Sequence, residues 1–202
     1  MNSSIENLEL FPLGMTLFPE GIISLNIFEP RYLSMIKRHH LSGEPFGVVT
    51  LLQGFEVGLP EQSTSIASGG TLAKIIHFEE LQPALFRIRG LGMQRFNITK
   101  RHPAVAGVER VDAALIKPDE EVSIPTELQK TADMLGKFIA HNQEQGLKLH
   151  EFPFSQPFRL DECGWVANRW AELLNLERAE KLELLLETEP LSRLEKIKEI
   201  MF

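Results

Sequence analysis

A proline at a strand-to-helix joint, within residues 10–32 (LFPLGMTLFPEGIISLNIFEPRY), constrains this chain more than any other feature. Before the joint, Ile23, Leu25 and Ile27 alternate with polar residues, which is the period of a half-buried strand. Pro30 has a fixed φ and no amide donor, so it suits the first turn of a helix and not the interior of a strand. The sequence therefore predicts a strand, a sharp turn and a short helix in direct succession.

The first half of the chain has the pattern of a β-rich unit. Between about residues 8 and 116, short apolar runs separated by turn residues indicate about six strands, which suggest a closed or nearly closed antiparallel barrel. Residues 53–70 predict a long loop or hairpin end. Gly90 and Gly92 predict a turn or bulge before the next strand.

The second half has a helical period. One helix is predicted from near Pro125, a second is capped by Asp161 and anchored by Trp170, and the last begins at Pro190. The polar, acidic segment 117–121 separates the two patterns. We therefore expect an α+β fold, with a β-rich barrel-like subdomain over residues 1–117, containing one short helix, and a helical bundle over residues 118–202.

Composition excludes several classes of protein. The 202 residues are 43% hydrophobic, which is enough for a sizeable core. The net charge of −7 disfavours nucleic acid as a partner. One cysteine excludes an intrachain disulfide, and the sequence shows neither a secretory leader nor an apolar run long enough to cross a membrane, so we expect a cytoplasmic protein.

Short motifs in both halves of the chain follow one known pattern. They are Phe11-Pro12-Leu13, Leu17-Phe18-Pro19, Leu25, Ile27-Phe28-Glu29-Pro30-Arg31-Tyr32, Met35, Phe46-Gly47-Val48-Val49, Gly70-Thr71-Leu72-Ala73-Lys74-Ile75, Arg95-Phe96-Asn97-Ile98, Trp165-Val166-Ala167-Asn168-Arg169 and Glu189-Pro190-Leu191-Ser192-Arg193-Leu194. In this order they resemble the N-terminal domain of the Lon proteases, the substrate-engaging part of those ATP-dependent machines, and cereblon carries a similar domain. The resemblance implies a PUA-like, barrel-like sheet and recognition of protein segments without catalysis. Glu20 departs from the family's Pro-Gly and predicts a longer turn.

The residues needed for catalysis, metal binding or cofactor binding are not found in the expected patterns. Gly136-Lys137 is followed by Phe138 and preceded by Thr131 at the place of the first P-loop glycine, so it does not form a phosphate-binding loop. Lon's protease domain would follow an ATPase domain, and the chain ends at Phe202. The six histidines and Cys163 lack metal-ligand or nucleophile spacing. We therefore expect no enzyme, no catalytic residue, no metal and no cofactor.

Glu29, Pro30, Arg31 and Tyr32 are predicted to form a structural joint. Glu29 would accept amide hydrogens at the start of the helix, where the helix dipole favours an anion, and Arg31 would bond loop carbonyls. The alternative is that the charged pair grips the terminus or backbone of a bound peptide.

Phe152, Phe154 and Phe158 form the most suggestive binding feature, because aromatic rings between prolines can provide a rigid apolar surface for peptides. The alternative is that these rings seal the junction between the barrel and the bundle. The expected partners are unfolded or apolar polypeptide segments, with no nucleic acid and no membrane. A protein–protein adaptor or oligomerisation module that docks on a folded partner is the alternative function.

Overall fold

The computed structural model describes residues 4–53 and 65–202. These residues form six strands: β1 (Ser4–Leu13), β2 (Ile22–Ile27), β3 (Phe46–Gln53), β4 (Ser65–Gln82), β5 (Leu85–Val105) and β6 (Val108–Leu115). They also form five α-helices: α1 (Pro30–Ser42), α2 (Gln129–Glu144), α3 (Cys163–Leu173), α4 (Arg178–Leu186) and α5 (Pro190–Met201). The strands come first and four of the helices follow the last strand, so the predicted α+β class is confirmed.

The strands form one mixed sheet that closes on itself. Their order is β2-β5-β4-β3-β1-β6, and β5 also pairs with β6, so five strands form a ring and β2 lies outside it against β5. The expectation of a purely antiparallel sheet is wrong, because β1 and β3 are parallel. A parallel pair needs a crossover connection, and here β2 and α1 supply it.

Pro12 lies inside β1, which has neighbours on both sides along part of its length. β6 pairs with the Ser4–Glu9 part of the strand, whereas β3 pairs with the Leu10–Leu13 part. At Pro12 the strand therefore has a neighbour on one side only, and an edge position tolerates the missing amide donor.

The two long strands β4 and β5 bear on two predictions. Residues 65–70 belong to β4, so the predicted loop over 53–70 is wrong in its last part, and residues 54–64 lie outside the described residues. Of the turn or bulge predicted at Gly90 and Gly92, the bulge is confirmed, because Thr71 pairs with Arg95 and Ala73 pairs with Gly92, which leaves one extra residue on β5. A Cβ on Gly92 would lie 2.2 Å from the backbone oxygen of Phe18, so this position needs glycine for a close approach.

Three apolar clusters form the core of the described residues. One lies among β1, β2, α1 and the neighbouring strands and contains Tyr32, Met35 and Ile36. A second fills the sheet around Leu10 and Phe96. The third joins the helices, and it includes Phe18 from the loop before β2, so the N-terminal half contributes to the helical core.

The start of α3 is fixed by backbone pairing and not by a side-chain cap. The predicted cap at Asp161 is wrong, because Glu162 occupies the N-cap position and makes no side-chain cap hydrogen bond. The amide of Cys163 donates to the oxygen of Val122 over 2.8 Å, and the segment before α2 thereby holds the helix start in place. Trp170 is 8% exposed and donates its Nε1–H to the Thr131 oxygen over 2.9 Å, which links α3 to α2.

Candidate functional site

A cleft of about 450 Å³ lies where the sheet meets the helices, and we call it the seam cleft. One wall is the Leu91–Arg95 part of β5, another is the segment after β6, and the third is the start of α3. Its lining residues are Pro19, Glu20, Leu91, Gly92, Met93, Gln94, Arg95, Ile116, Pro118, Asp119, Glu120, Glu121, Arg159, Glu162, Gly164, Trp165 and Asn168. Its volume falls within the range of roughly 300–1,000 Å³ that is typical of ligand-binding clefts.

The cleft offers apolar contact surface with a few polar groups. Met93 is 42% exposed, and Leu91, Ile116 and Pro118 add apolar surface beside it. Trp165 also lines the cleft, and its buried Nε1–H has no hydrogen-bond partner among the residues that the structure describes. Such a mixture suits the binding of polypeptide side chains.

The floor of the cleft includes Arg95 and Asp119, which form an ionic cluster with the buried Arg193 behind them. Arg95 is 2% exposed and Arg193 is fully buried. Arg95 Nη2 donates to Asp119 Oδ1 over 2.5 Å, and Arg193 Nη1 donates to Asp119 Oδ2 over 2.6 Å. Arg193 Nη1 also donates to Asn168 Oδ1 over 2.9 Å. The cluster therefore connects β5, the segment after β6, α3 and α5.

The same two arginines hold the end of α4. Arg95 Nη1 donates to the backbone oxygens of Leu185 and Glu187, over 2.8 and 2.7 Å, and Arg193 donates to the Glu187 oxygen as well. Burial, followed by the charge of Arg193, lowers the pKa of Arg95 to about 10, while Asp119 opposes this shift. Both guanidiniums therefore bind backbone oxygens at the end of α4 and the carboxylate of Asp119.

Gly164 allows Asp119 to sit against the first turn of α3. A Cβ on Gly164 would lie 2.8 Å from Asp119 Oδ2, so a larger residue would push the carboxylate away. The helix dipole favours an anion at this end of a helix. The local sequence thus fixes the carboxylate on which the floor depends.

The rim of the cleft carries an ion-paired triad. Arg159 contacts Glu20, and its Nη1 lies 3.3 Å from Glu162 Oε2. Partial burial raises the pKa of Glu162, Arg159 lowers it, and Glu121 and Asp161 raise it further. Glu20 has φ +65° in a tight turn closed by a hydrogen bond from the Gly21 amide to the Phe18 oxygen over 3.0 Å.

A buried pair, Arg169 and Glu172, hydrogen-bonds to the backbone of this turn. Arg169 is fully buried and donates to the Pro19 oxygen over 2.6 Å, and its Nη2 lies 3.1 Å from Glu172 Oε2. Glu172 Oε1 accepts the Phe18 amide hydrogen over 3.3 Å. Burial raises the pKa of Glu172 to about 7, and the charge of Arg169 opposes that shift.

The predicted joint makes some of its expected contacts, away from the cleft. Arg31 donates from Nε and Nη2 to Glu29 Oε2, over 3.1 and 2.8 Å, and from Nη1 to the Gly107 oxygen over 3.3 Å. Pro30 is the first residue of α1, and the ring of Tyr32 lies 4.5 Å from Arg31 Cζ. The expected side-chain cap by Glu29 is not formed, because Arg31 holds that carboxylate. A role as a structural joint stays our interpretation.

Phe152, Phe154 and Phe158 form an aromatic cluster with Trp165. Phe152 and Phe154 are each 1% exposed, and their ring centroids lie 5.5 Å apart. Phe158 is partly buried against the helical core, and Phe154 forms a bridge with Gly21. The rings thus fill the junction between the two halves. Peptide binding by them stays a prediction, and it would require this loop to open.

Sequence reasoning missed the residues that line the cleft and the buried residues beside it. Arg95, Asn168, Arg169 and Arg193 all lie in motifs that carry the resemblance, and each is a buried polar residue of a strand or helix. A charged residue at a core position of a helix or strand is the signal that could have found them, because buried arginines need paired acceptors.

The profile of a protein family, described as the ATP-dependent protease La (LON) substrate-binding domain, matches residues 7–201. The chain belongs to this family. A crystal structure of a Lon N-terminal domain protein from Xanthomonas campestris is similar, with 27% sequence identity, a TM-score of 0.75 and coverage of 98% of each chain. The N-terminal domain of a Mycobacterium avium complex Lon protease shares the fold, with 13% identity, a TM-score of 0.60 and coverage of 98% of this chain and 97% of that one. A search among curated protein sequences finds no significant match.

Three further observations bear on what this Lon-type domain can hold. Within residues 4–53 and 65–202, no group of three or more histidine, cysteine, aspartate or glutamate side chains is arranged to bind a metal ion. No helix in that part of the chain is long and apolar enough to cross a membrane. The described lining of the seam cleft contains no serine, cysteine, histidine or lysine.

Proposed function

We propose that this Lon-type domain binds exposed apolar segments of polypeptide, without catalysis, and that the seam cleft is the place where it binds them. The family match over residues 7–201 carries this proposal, because the family is described as a substrate-binding domain. The cleft supports it with a mixed lining in which apolar residues lie beside paired charges. A reducing compartment such as the cytoplasm suits this activity, since the single cysteine is buried and free.

The charges of the cleft indicate which segments fit best. Glu120 and Glu121 are exposed on the segment after β6, and Glu162 lies beside them on the rim. An acidic rim repels acidic segments and attracts basic ones. We therefore expect apolar segments flanked by lysine or arginine to bind more tightly than those flanked by aspartate or glutamate.

Binding can be tested by fluorescence anisotropy with fluorescein-labelled, reduced and carbamidomethylated ribonuclease A, a permanently unfolded chain whose basic character suits the acidic rim. Met93→Glu places a carboxylate on the apolar side of the cleft. Burying that charge under a ligand costs more than about 1.4 kcal/mol, so we expect the affinity to fall at least about tenfold. Met15→Glu is the matched control, because Met15 is 49% exposed and does not line the cleft.

Equal affinity of the two variants would exclude the seam cleft as the binding place. Absence of saturable binding by the native chain up to about 100 μM, which corresponds to roughly −5.5 kcal/mol, would contradict the proposal as a whole. Retention of one folded protein from a pull-down, together with indifference to unfolded chains, would favour the adaptor alternative.

A further inference from the structure

The strand β2 has one edge that the described sheet leaves open. Among the described strands it pairs with β5 alone. The Gly21 oxygen points toward β5 and accepts a hydrogen bond from the Gly92 amide over 2.8 Å. The Ile22 amide points away from β5 and donates to the Pro153 oxygen over 2.7 Å. Backbone groups alternate in direction along an antiparallel strand. The amides and carbonyls of Ser24 and Asn26 therefore point away from β5.

No described residue bonds these outward backbone groups. Ser24 and Asn26 donate to and accept from no partner in residues 4–53 and 65–202 beyond their pairing within the sheet, and both are exposed. Ile23 and Ile27 are buried and hold the strand in register against β5. The open edge is thus a rigid row of unpaired donors and acceptors.

The chain itself shows how an extended segment occupies this edge. Residues 153–155 pair with the strand entry in antiparallel fashion, because the Ile22 amide bonds to the Pro153 oxygen and the Ser155 amide donates to the Glu20 oxygen over 2.8 Å. The next hydrogen bond of this pairing would need an amide hydrogen on residue 153, and proline has none. The pairing stops there, and the open stretch from Ser24 to Ile27 continues the same edge.

We propose that the open edge of β2 accepts an extended segment of unfolded polypeptide by β-augmentation, as an additional strand in line with residues 153–155. This inference rests on the proposed function and adds a second contact for the same unfolded chain, because Ser24–Ile27 do not line the seam cleft. Four residues at about 3.3 Å each give an edge of about 13 Å, which is enough for a short peptide strand. Because the contacts are to main-chain atoms, the site tolerates many sequences, as a binder of unfolded chains requires.

A second copy of this chain fits the open edge poorly. Residues 153–155 cover one end of the edge, and α1 begins three residues after the other end. A stable interface needs about 800 Å² on each partner, which is far more than four edge residues supply. The usual protections of an exposed edge, such as lysine, proline or a bulge, are missing from Ser24–Ile27.

The test compares Ser24→Pro with Ser24→Ala. Proline removes the outward amide and leaves the β5 side of the strand intact, since an edge strand tolerates proline where its amide faces away from the sheet. With labelled, carbamidomethylated ribonuclease A as the probe, we expect Ser24→Pro to weaken binding about tenfold or more and Ser24→Ala to bind like the native chain. Circular dichroism and thermal unfolding establish that both variants are folded.

Amide hydrogen exchange, followed by nuclear magnetic resonance on the native protein, gives a second readout that needs no variant. In the free protein the Asn26 amide should exchange rapidly, and with saturating probe it should exchange at least about tenfold more slowly. The Leu25 amide faces β5 and is the internal control, because it is protected in both states.

Each outcome separates the inference from the proposed function. Equal binding by Ser24→Pro and the native chain, with unchanged exchange at Asn26, overturns the edge site and leaves the proposed function standing. Absence of probe binding by the native chain overturns both. A concentration-dependent dimer that Ser24→Pro abolishes shows that a second copy occupies the edge, and it also overturns the inference.

Discussion

Replacing Asp119 with asparagine tests whether the floor of the seam cleft holds the two halves of the molecule together. The carboxylate accepts hydrogen bonds from Arg95 over 2.5 Å and from Arg193 over 2.6 and 3.0 Å, and these guanidiniums are 2% and 0% exposed. The neutral amide leaves two buried positive charges without the anion that they contact directly. Removal of one partner from a buried ion pair costs about 3–5 kcal/mol of unfolding free energy.

We expect a value near the lower end, about 3 kcal/mol, because the Asp119 side chain is 19% exposed and water can reach it. Urea unfolding, followed by the fluorescence of Trp165 and Trp170, measures this loss. Glu120→Gln is the matched control, since it removes the neighbouring carboxylate, whose pair with Lys117 is exposed to solvent. We expect no measurable change there.

A second variant isolates the electrostatic cause. When Arg193→Met is added to Asp119→Asn, one of the two unpaired charges is removed, so the pair of substitutions should cost less than the sum of the two single ones. Strict additivity, or an Asp119→Asn protein as stable as Glu120→Gln, would refute the reasoning that the arginines depend on this carboxylate.

Two further predictions concern stability. Ala106 and Gly107 form the two-residue turn between β5 and β6, with φ values of +52° and +79°. Because asparagine tolerates this conformation better than alanine, Ala106→Asn should raise the free energy of unfolding in urea by about 1 kcal/mol. Ala104→Asn is the control in extended backbone and should give no gain. Burial raises the pKa of Glu172 to about 7 in the folded chain, so the folded state binds the proton more tightly than the unfolded state. The stability that this group contributes is therefore greatest below about pH 4.5 and is lost as the pH rises toward 7. Glu172→Gln should remove that part of the pH dependence, at most about 3 kcal/mol, and thermal unfolding that declines equally in both proteins between pH 5 and 8 would contradict it.

The fold was predictable where local chemistry determines it. Pro30 and Pro190 mark helix starts, and the alternation of Ile23, Leu25 and Ile27 marks a strand, since each of these signals acts within a few residues. The parallel pairing of β1 with β3 was not predictable in this way, because strand direction depends on the path of the whole chain and not on the residues that pair.

The candidate site was less predictable for the same reason. Arg95, Asp119 and Arg193 are far apart in sequence, and periodicity treats each charged residue as solvated. The expected cap at Asp161 failed because backbone pairing with the Val122 segment replaces it. The ring at Phe154 was noticed for its apolar character, but its burial follows from contacts with the turn before β2 that no local pattern contains.

The closed ring of strands has a consequence for synthesis of the chain. β1 is made first, yet one of its two neighbours is β6, which ends at Leu115. At about 5–20 residues per second, the roughly 100 residues between them take about 5–20 s to translate. During that interval the nascent sheet cannot close, and the unsatisfied side of β1 is open to any other nascent chain or chaperone nearby. The chain therefore exposes an unpaired strand edge during its own synthesis, and the folded ring of strands no longer has that edge.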